Sequence, residues 1–501
     1  MPRPNRQTQQ QILSQTLNLL ESTNYQDPQA IRSNVDRRTD KSNDEIRILD
    51  TIALCISTGR SGDVVASAIK YTDKGEMIIY LARNGEPVVP KDVSSASDLL
   101  NKLRASKHQS MLDILPWVAS HGPEKVQKRV NKLRELVSED KNGIFRRFLN
   151  RQIKNYHISL QNGIKAEFPD YASGEYLKSA GYDIQHIQVD SSTVQAILMG
   201  ILKKFDEDLI FDTRTSSHSR FQSLVLAATT LRKSLFLKDL LKTLEYASSI
   251  DAPNPFFEKA SQFYRNVNKV SQYIRIIDLI QYVQREMSCK IQWVYGTNMG
   301  NTLCHESQRL ELQSASTTAL ETAKQLKLPI QPTSEQLLEC FRKMNPFRPS
   351  AQKENPLVKR RVNTCVHAEL KLIVFLLSIT PQRSQDQEIE HRPIGCSKRS
   401  CLYCTFWIDE LREILKPTVH RFIYYTAGSH GSPYATCARV GPFREDLNEL
   451  CSNRVEVRLR GLVNERVKVL FNLSEQGHIK KKSEDHASAS EDESGQASNR
   501  F

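Results

Sequence analysis

Long hydrophobic runs are missing from this sequence of 501 residues. The longest, residues 370–377, is broken by Lys371 and is far shorter than the roughly 20 apolar residues that a membrane-spanning helix requires. The first residues read Met-Pro-Arg-Pro, then become rich in glutamine, and lack the apolar core that is typical of a secretory signal. We therefore expect a chain that does not span a membrane, in a reducing compartment that is cytoplasmic or nuclear.

A convincing internal repeat is also absent. Hydrophobic residues (39%) and charged residues (25%) occur in the proportions of a soluble globular protein rather than a disordered or fibrous one. The length favours two or three structural units. The formal net charge of +13 favours a polyanionic partner, because lysines and arginines gain affinity for phosphates by releasing counterions. Spread over a chain this long, the same excess is also typical of a solvated basic surface.

The pattern along the chain predicts five segments. Residues 1–43 are polar and are expected to form a loose arm with one short helix, and residues 44–90 read as a helix followed by a two-stranded hairpin. Residues 91–355 are mostly helical. Residues 356–473 return to a mixed pattern, with helices near 364–377, 401–415 and 444–451 and strands near 393–396, 421–425 and 455–471. Residues 474–501 lack apolar content and are predicted to be a disordered tail.

Three of the ten cysteines, Cys396, Cys401 and Cys404, lie close together in the sequence. In a reducing compartment cysteines are expected as thiols or metal ligands, and this clustering favours a metal. Cys401 and Cys404 are three residues apart at the start of a predicted helix, so they share one face, and the helix N-terminus favours thiolates. His367, in the first turn of another predicted helix, supplies a third ligand of suitable type.

Glu369 follows His367 by two residues and is not expected to bind the metal itself. A catalytic zinc has three protein ligands and one open position for water. Glu369 would lie beside that water, take its proton and deliver it to the ring nitrogen and the leaving amine of a base. The order H-x-E then C-x-x-C, each opening a helix with an apolar face, therefore predicts a zinc-dependent deaminase site.

One alternative leaves the metal without a catalytic role. Cys396 precedes Cys401 by five residues and would complete a site of one histidine and three cysteines. Such a closed zinc is typical of structural sites and has no position for water. Glu369 would then have no function.

The same residues carry a resemblance to a known family. The order of His367-Ala368-Glu369, then PIGCSKRSCLYC at residues 393–404, then GSHG at residues 428–431, resembles the OTT-like deaminase family. That family belongs to the cytidine-deaminase-like superfamily and includes bacterial toxins and fungal proteins. The resemblance implies an α/β fold with three α/β/α layers, a Zn²⁺ cofactor, and hydrolytic removal of an amino group from a cytosine- or adenine-type base of a nucleotide or nucleic acid. Ser400 is a departure, because a proline usually precedes the first cysteine.

The superfamily resemblance also implies where the substrate binds. In such deaminases a helix and a hairpin precede the H-x-E helix, and the helix and hairpin of this kind lie at residues 44–82. The deaminase domain is therefore expected to be discontinuous, with residues 91–355 as a large helical insertion. Asn84, after the second strand, is expected to contact the substrate, together with Ala368. His430 is expected to do so as well, because its loop follows a predicted strand and its flanking glycines allow the backbone to approach a ligand closely. An ordinary Asn-Gly turn and a solvent-facing histidine are the alternatives.

Two other functions are alternatives to catalysis. The first is a zinc-stabilised scaffold that keeps the deaminase fold without turnover, and such a scaffold has no need of Glu369. Alternatively, the helical insertion binds phosphates through a basic stripe or merely presents a solvated face. The stripe comprises Lys125, Lys128, Arg129, Lys132, Arg146, Arg147, Arg151 and Lys154.

Overall fold

The structure is a computed structural model. It describes residues 6–27, 40–60, 62–85, 87–106, 111, 114–137, 143–158, 164–169, 171–182, 190–209, 218–250, 255–294, 308–328, 332–344, 355–380, 390–415, 422–440 and 445–491.

Helices dominate these ranges. The α-helices are α1 (Arg6–Ser22), α2 (Asp40–Ile56), α3 (Pro90–Ala105), α4 (Leu115–His121), α5 (Pro123–Val137), α6 (Ile144–Lys154), α7 (Ile164–Glu167), α8 (Tyr171–Ser179), α9 (Ser191–Asp208), α10 (His218–Lys233), α11 (Leu235–Ile250), α12 (Pro255–Ser271), α13 (Ile276–Arg285), α14 (Ala315–Gln325), α15 (Ser334–Met344), α16 (Ala368–Ile379), α17 (Leu402–Leu415) and α18 (Glu445–Glu491). The strands are β1 (Val65–Tyr71), β2 (Met77–Arg83), β3 (Cys289–Trp293), β4 (Gln308–Leu312), β5 (Arg360–Thr364), β6 (Glu390–Cys396) and β7 (Phe422–Thr426).

The fold is a mixed α/β structure with a five-stranded sheet and a two-stranded sheet. The chain divides into two compact units. The first unit comprises Met1–Ile46, Ala82–Pro87 and Val294–Phe501, and the second comprises Arg47–Leu81 and Val88–Trp293. The segment boundaries and the discontinuous, layered deaminase domain expected from the sequence stay predictions.

The second unit is built mainly from amphipathic helices. In α5, for example, Val126, Val130, Leu133 and Val137 recur at helical spacing and are all buried. β1 and the part of β2 up to Leu81 lie in this unit, and β3 pairs in parallel with β2 from Met77 opposite Cys289 onward. The sequence pattern did not predict β3, because five residues that alternate between buried and exposed are a weak signal inside a helical region.

The first unit holds two strand pairs with helices packed around them. β4 and β5 are antiparallel, and β6 and β7 are parallel, so the carboxyl ends of β6 and β7 lie at the same edge. α16 packs against both β6 and α17, and α17 packs against α18. All residues of α16 from Ala368 to Leu377 are buried, which explains why this helix is apolar on every side. Helices α16 and α17 and strands β6 and β7 lie where the sequence predicted them.

The N-terminal helix α1 differs from the predicted loose arm. Its side chains at Leu13, Leu17, Leu19 and Leu20 are almost fully buried, and it packs against α14, α18 and β4 of the first unit. Polar residues of α1 are partly buried too, because they hydrogen-bond to other segments of the same chain. The Gln10 side chain, for example, donates to the Cys437 carbonyl at 3.2 Å. The polar composition therefore did not indicate exposure.

The strand predicted for residues 455–471 is wrong, because the whole segment belongs to α18. The apolar residues Val455, Val457 and Leu459 alternate as they would in a strand, yet Val457 is 68% exposed while the other two are buried. Burial instead continues at Val463 and Val467, at the four-residue spacing of a helix face. The helix continues to Glu491; the disordered tail expected for residues 474–501 stays a prediction.

Among the helices in the described ranges, none combines the length and the apolar character that crossing a membrane requires.

The burial of α1 leads to a stability prediction. We expect Leu17→Ala to lower the free energy of unfolding by about 2–5 kcal/mol, because it removes a fully buried side chain and leaves a cavity. Ile12→Ala, on the same helix but 49% exposed, serves as the control and should change it by less than about 0.5 kcal/mol. Denaturant unfolding followed by circular dichroism measures both. Equal effects of the two substitutions would show that α1 does not pack as described.

Candidate metal centre

His367 and Cys401 occupy the same position at the starts of two different helices. His367 is the N-cap residue of α16, and its carbonyl accepts the hydrogen bond of the Lys371 N–H at 3.1 Å. The Cys401 carbonyl likewise accepts from the Thr405 N–H at 2.9 Å at the start of α17. Both residues therefore lie immediately before their helices, so His367 precedes the first turn in which the sequence placed it.

The side chains of these residues converge with that of Cys404, in the first turn of α17. The His367 Nδ1 atom lies 3.5 Å from the Cys401 sulfur and 3.2 Å from the Cys404 sulfur, and the two sulfurs are 3.4 Å apart. A tetrahedral zinc with bonds of about 2.3 Å to sulfur and 2.0–2.1 Å to nitrogen separates its ligand atoms by about 3.5–3.8 Å. The observed spacing and donor types fit one such ion.

A fourth donor, Cys437, joins this cluster. The ligand atoms of His367, Cys401, Cys404 and Cys437 all lie within 4.8 Å of one another, and all four residues are buried. These four residues could therefore hold a metal ion. Cys396, the residue that sequence reasoning considered for this position, is not among the clustered donors. Cys437 was missed because it follows a loop and has no fixed spacing from the C-x-x-C motif; only the number of cysteines hinted at a further ligand.

Backbone hydrogen bonds hold Cys437 beside the H-x-E segment. The Cys365 N–H donates to the Thr436 carbonyl at 2.9 Å, and the Ala438 N–H donates to the Cys365 carbonyl at 2.9 Å. These two bonds form a short parallel bridge between Cys365 and Cys437. Because Cys365 lies two residues before His367, the bridge brings Cys437 to the histidine ligand.

Helix α1 supports the other side of the same loop. Gln10 donates to the Cys437 carbonyl at 3.2 Å and accepts from the Arg439 N–H at 2.7 Å. The carboxylate of Glu21 accepts from Arg360 at 2.8 Å and from the Ala435 N–H at 3.3 Å. The N-terminal helix thus fixes the backbone on both sides of Cys437.

Glu369 lies in the first turn of α16 and is 3% exposed. Burial raises the pKa of its carboxyl, while the neighbouring His367 lowers it in part. The Cys401 thiolate raises it further, and contact with Cys404 acts in the opposite direction. A raised pKa beside potential metal ligands favours a carboxyl group that can both accept and donate a proton.

Opposing influences set the pKa of His367. Burial lowers it, but the charge of Cys401 and a hydrogen bond with that thiol raise it, and the result is a pKa of about 8. In the absence of metal the imidazole is therefore mostly protonated at neutral pH. Binding a metal requires this proton to leave.

Asn84 lies close to the H-x-E segment, and its side chain hydrogen-bonds to the backbone of that segment. Its Oδ1 atom accepts a hydrogen bond of 2.5 Å from the Ala368 N–H, at the free N-terminus of α16. The turn that follows has Gly85 at φ 64°, a left-handed conformation that favours glycine. The carbonyl of Arg83 accepts from the buried Lys371 side chain at 2.8 Å. The segment after β2 therefore anchors the first turns of α16, and the N–H of Ala368 is already engaged.

His430 lies in the loop after β7, next to the cysteine motif. Its N–H donates to the Ser400 carbonyl at 3.1 Å, and Ser400 immediately precedes Cys401. Its Nδ1 atom accepts from the Ser432 N–H at 3.1 Å, so the ring hydrogen is on Nε2. Burial lowers the pKa of His430, and the charge of Cys401 raises it in part.

Ser400 occupies the position before the first cysteine, where the resemblance predicts a proline. Its N–H donates to the Gly428 carbonyl at 3.1 Å, and its hydroxyl hydrogen-bonds to Thr426 at 3.2 Å. A proline has no N–H and would lose the first of these bonds. The serine thereby joins the cysteine motif to the loop that carries His430.

The predicted basic stripe lies on α5 and α6 of the second unit. Several of its members have protein partners: Lys125 donates to the Leu54 carbonyl at 3.2 Å, Arg129 donates to the Lys269 carbonyl, and Arg146 pairs with Asp206 at 2.6 Å. Lys128, Lys132, Arg147, Arg151 and Lys154 are exposed. Phosphate binding by this stripe stays a prediction.

The segment of the chain that contains these side chains matches a known protein family. Residues 366–436 match the family model of the OTT_1508-like deaminases, which confirms the resemblance found in the sequence. The matched segment contains His367, Glu369, Cys401 and Cys404 and ends one residue before Cys437. No curated protein and no solved structure matches the chain. The match supports a deaminase in general terms.

The pKa of His367 predicts how zinc affinity depends on pH. Below about pH 8 the imidazole is protonated and must lose its proton to bind the metal, so affinity should fall by at least about tenfold per pH unit. Burial also raises the pKa of Cys404 and Cys437, so the thiols should make the dependence steeper. Chelator competition between pH 6 and 8 measures the slope. His430→Ala, outside the ligand set, should leave it unchanged, and a flat profile in the unaltered protein would contradict the ligand role of His367.

The contact of Asn84 predicts a difference between two substitutions. Asn84→Ala leaves the Ala368 N–H buried without an acceptor and should cost about 1–3 kcal/mol of stability. Asn84→Asp keeps an acceptor, and the helix N-terminus favours its charge, so most of that stability should remain. Thermal unfolding of both zinc-loaded variants is the measurement. A loss as large for aspartate as for alanine would mean that the side chain does not cap α16.

Proposed function

We propose that this chain is a zinc-dependent hydrolytic deaminase that acts on a cytosine- or adenine-type base of a nucleotide or nucleic acid. In this proposal His367, Cys401 and Cys404 bind the zinc, and Glu369 is the catalytic acid and base. The match of residues 366–436 to a deaminase family and the cluster of metal-ligand side chains support it.

The buried carboxyl of Glu369 is the observation that carries the proposal. An ionisable group that is 3% exposed is costly to maintain unless it is used, and Glu369 lies next to the donor cluster. A metal that only stabilises the fold needs ligands and no additional carboxyl group. The combination of donors with an adjacent carboxyl of raised pKa is what hydrolytic deamination needs.

Each side chain of the centre has a separate role in the proposed reaction. A bound zinc would supply Lewis acidity and lower the pKa of water to roughly 7. Glu369 would take one proton from the attacking water and pass it to the ring nitrogen as the C–O bond forms. It would then pass the second proton of the same oxygen to the exocyclic amine, which leaves as ammonia when the C–N bond breaks. His430, whose Nε2 carries the hydrogen, donates a hydrogen bond to the substrate. Asn84 positions the first turn of α16 through Ala368 and contacts the substrate through its remaining amide hydrogens.

The fourth clustered donor favours a second candidate function. If Cys437 binds the metal permanently, the centre is a closed site of one histidine and three cysteines, which is typical of structural zinc. The chain would then be a zinc-stabilised binding protein that keeps a deaminase-like segment without turnover. The two functions differ in whether Glu369 is required for any chemical step.

The test is ammonia release by the zinc-loaded full-length protein from bases, nucleosides, nucleotides and single-stranded oligonucleotides. We expect release from at least one class, and we expect Glu369→Gln to reduce it by about 10²–10⁴-fold, because the amide cannot transfer the proton. Zinc content and unfolding temperature should be preserved, since the ligands are unchanged.

Glu410→Gln is the matched control. Glu410 lies on α17 and pairs with Arg454 and Arg458 near the surface, away from the ligand set. This variant should retain full activity. Activity in Glu369→Gln equal to that of the control would exclude the catalytic role, and zinc-loaded protein that releases ammonia from none of the substrates would favour the scaffold.

A further inference from the structure

Cys437 lies outside the segment that matches the deaminase family, yet its thiol belongs to the donor cluster. We infer that Cys437 is a fourth zinc ligand, so that the resting centre is closed by one histidine and three cysteines and must release this thiolate before turnover. The inference rests on the metal site of the proposed function, and its coordination part does not depend on deaminase activity.

The position of the thiol supports ligation. Its sulfur lies within 4.8 Å of the other three donor atoms. The residue is completely buried. A buried thiol among three other donors has no water to compete for the metal, and zinc accepts four such ligands in a tetrahedral arrangement.

The backbone around Cys437 is fixed by hydrogen bonds, so the thiol can leave the metal only by rotation of its side chain. Hydrogen bonds to Cys365 fix the chain on both sides of Cys437, and Gln10 binds its carbonyl. The Cα position is therefore constant, and only rotation about the Cα–Cβ bond can move the sulfur. His367, Cys401 and Cys404 lie instead at the N-termini of buried helices and form the ligand set of the proposed catalytic site. Cys437 comes from a loop and lies outside that set, so we infer that it is the ligand that leaves.

A closed resting centre also accounts for the presence of both Glu369 and four donors. With all four positions filled, Glu369 has no water to deprotonate, and the centre is inactive although complete. Release of the Cys437 thiolate opens one position next to the carboxyl. The thiolate takes up a proton when it leaves and loses it again on return, so no oxidant or reductant is needed.

X-ray absorption spectroscopy at the zinc edge of the full-length protein tests the ligand set. We expect three sulfurs and one nitrogen in the unaltered protein, and two sulfurs with an added light atom in Cys437→Ser and Cys437→Ala. Cys451→Ser is the control, because Cys451 is a buried thiol that contacts the Trp407 carbonyl on α17 and is not in the cluster. It should leave the sulfur count at three.

The outcomes separate this inference from the proposed function. Two sulfurs in the unaltered protein would overturn the inference while leaving the metal site intact, and this holds even if the variants fail to fold. Protein that binds no zinc would overturn both. Chelator competition gives a second measure: loss of the ligand should weaken zinc binding by at least about tenfold in Cys437→Ala and not in Cys451→Ser.

Ammonia release tests the second part. At equal zinc content, Cys437→Ala should release ammonia faster than the unaltered protein, because the position no longer has to be vacated. A rate equal to or lower than that of the unaltered protein would overturn the blocking role, even where the sulfur count confirms ligation.

Discussion

The N-termini of two buried helices meet in the first unit, and the candidate chemistry depends on this meeting. α16 and α17 pack against each other, and the residue just before each of them is a potential metal ligand, His367 in one case and Cys401 in the other. The partial positive charge at a helix N-terminus favours thiolates and carboxylates. The same packing that buries the apolar faces of the two helices therefore brings the donors together and lowers the cost of their negative charges.

The surrounding chain holds these two N-termini in place through hydrogen bonds from distant segments. Asn84 reaches the backbone of Ala368, Ser400 binds the backbone of Gly428, and Gln10 binds the backbone of Cys437. Each contact satisfies a polar backbone group that would otherwise be buried without a partner. Polar residues thus define the shape of the centre, while the apolar faces of α1, α16 and α17 provide most of the stability.

Glu369 and Cys437 place opposite demands on the metal. The carboxyl of Glu369 is useful only beside an open position, whereas the thiol of Cys437 fills the tetrahedron. Because only its side chain can move, Cys437 can fill the fourth position at one time and leave it open at another. In the inferred ligand exchange, four donors enclose the metal at rest, and rotation of one side chain opens the position that hydrolysis needs.

The sequence by itself determined the local elements and the chemistry they carry. The spacings His-x-Glu and Cys-x-x-Cys place three donors and a carboxyl at helix starts, and helices α16 and α17 with strands β6 and β7 followed from the periodicity of their apolar residues. Where a periodicity was ambiguous the sequence misled, as at Val455, Val457 and Leu459, because alternation over a few residues fits both a strand and a helix. The tertiary structure alone decided which distant residues complete the centre. Cys437 and Gln10 carry no spacing signal, because hydrogen bonds between segments far apart in the chain bring them to the site, and such bonds leave no period in the sequence. The resemblance pointed to Asn84, but only the structure shows that its side chain binds the backbone of Ala368.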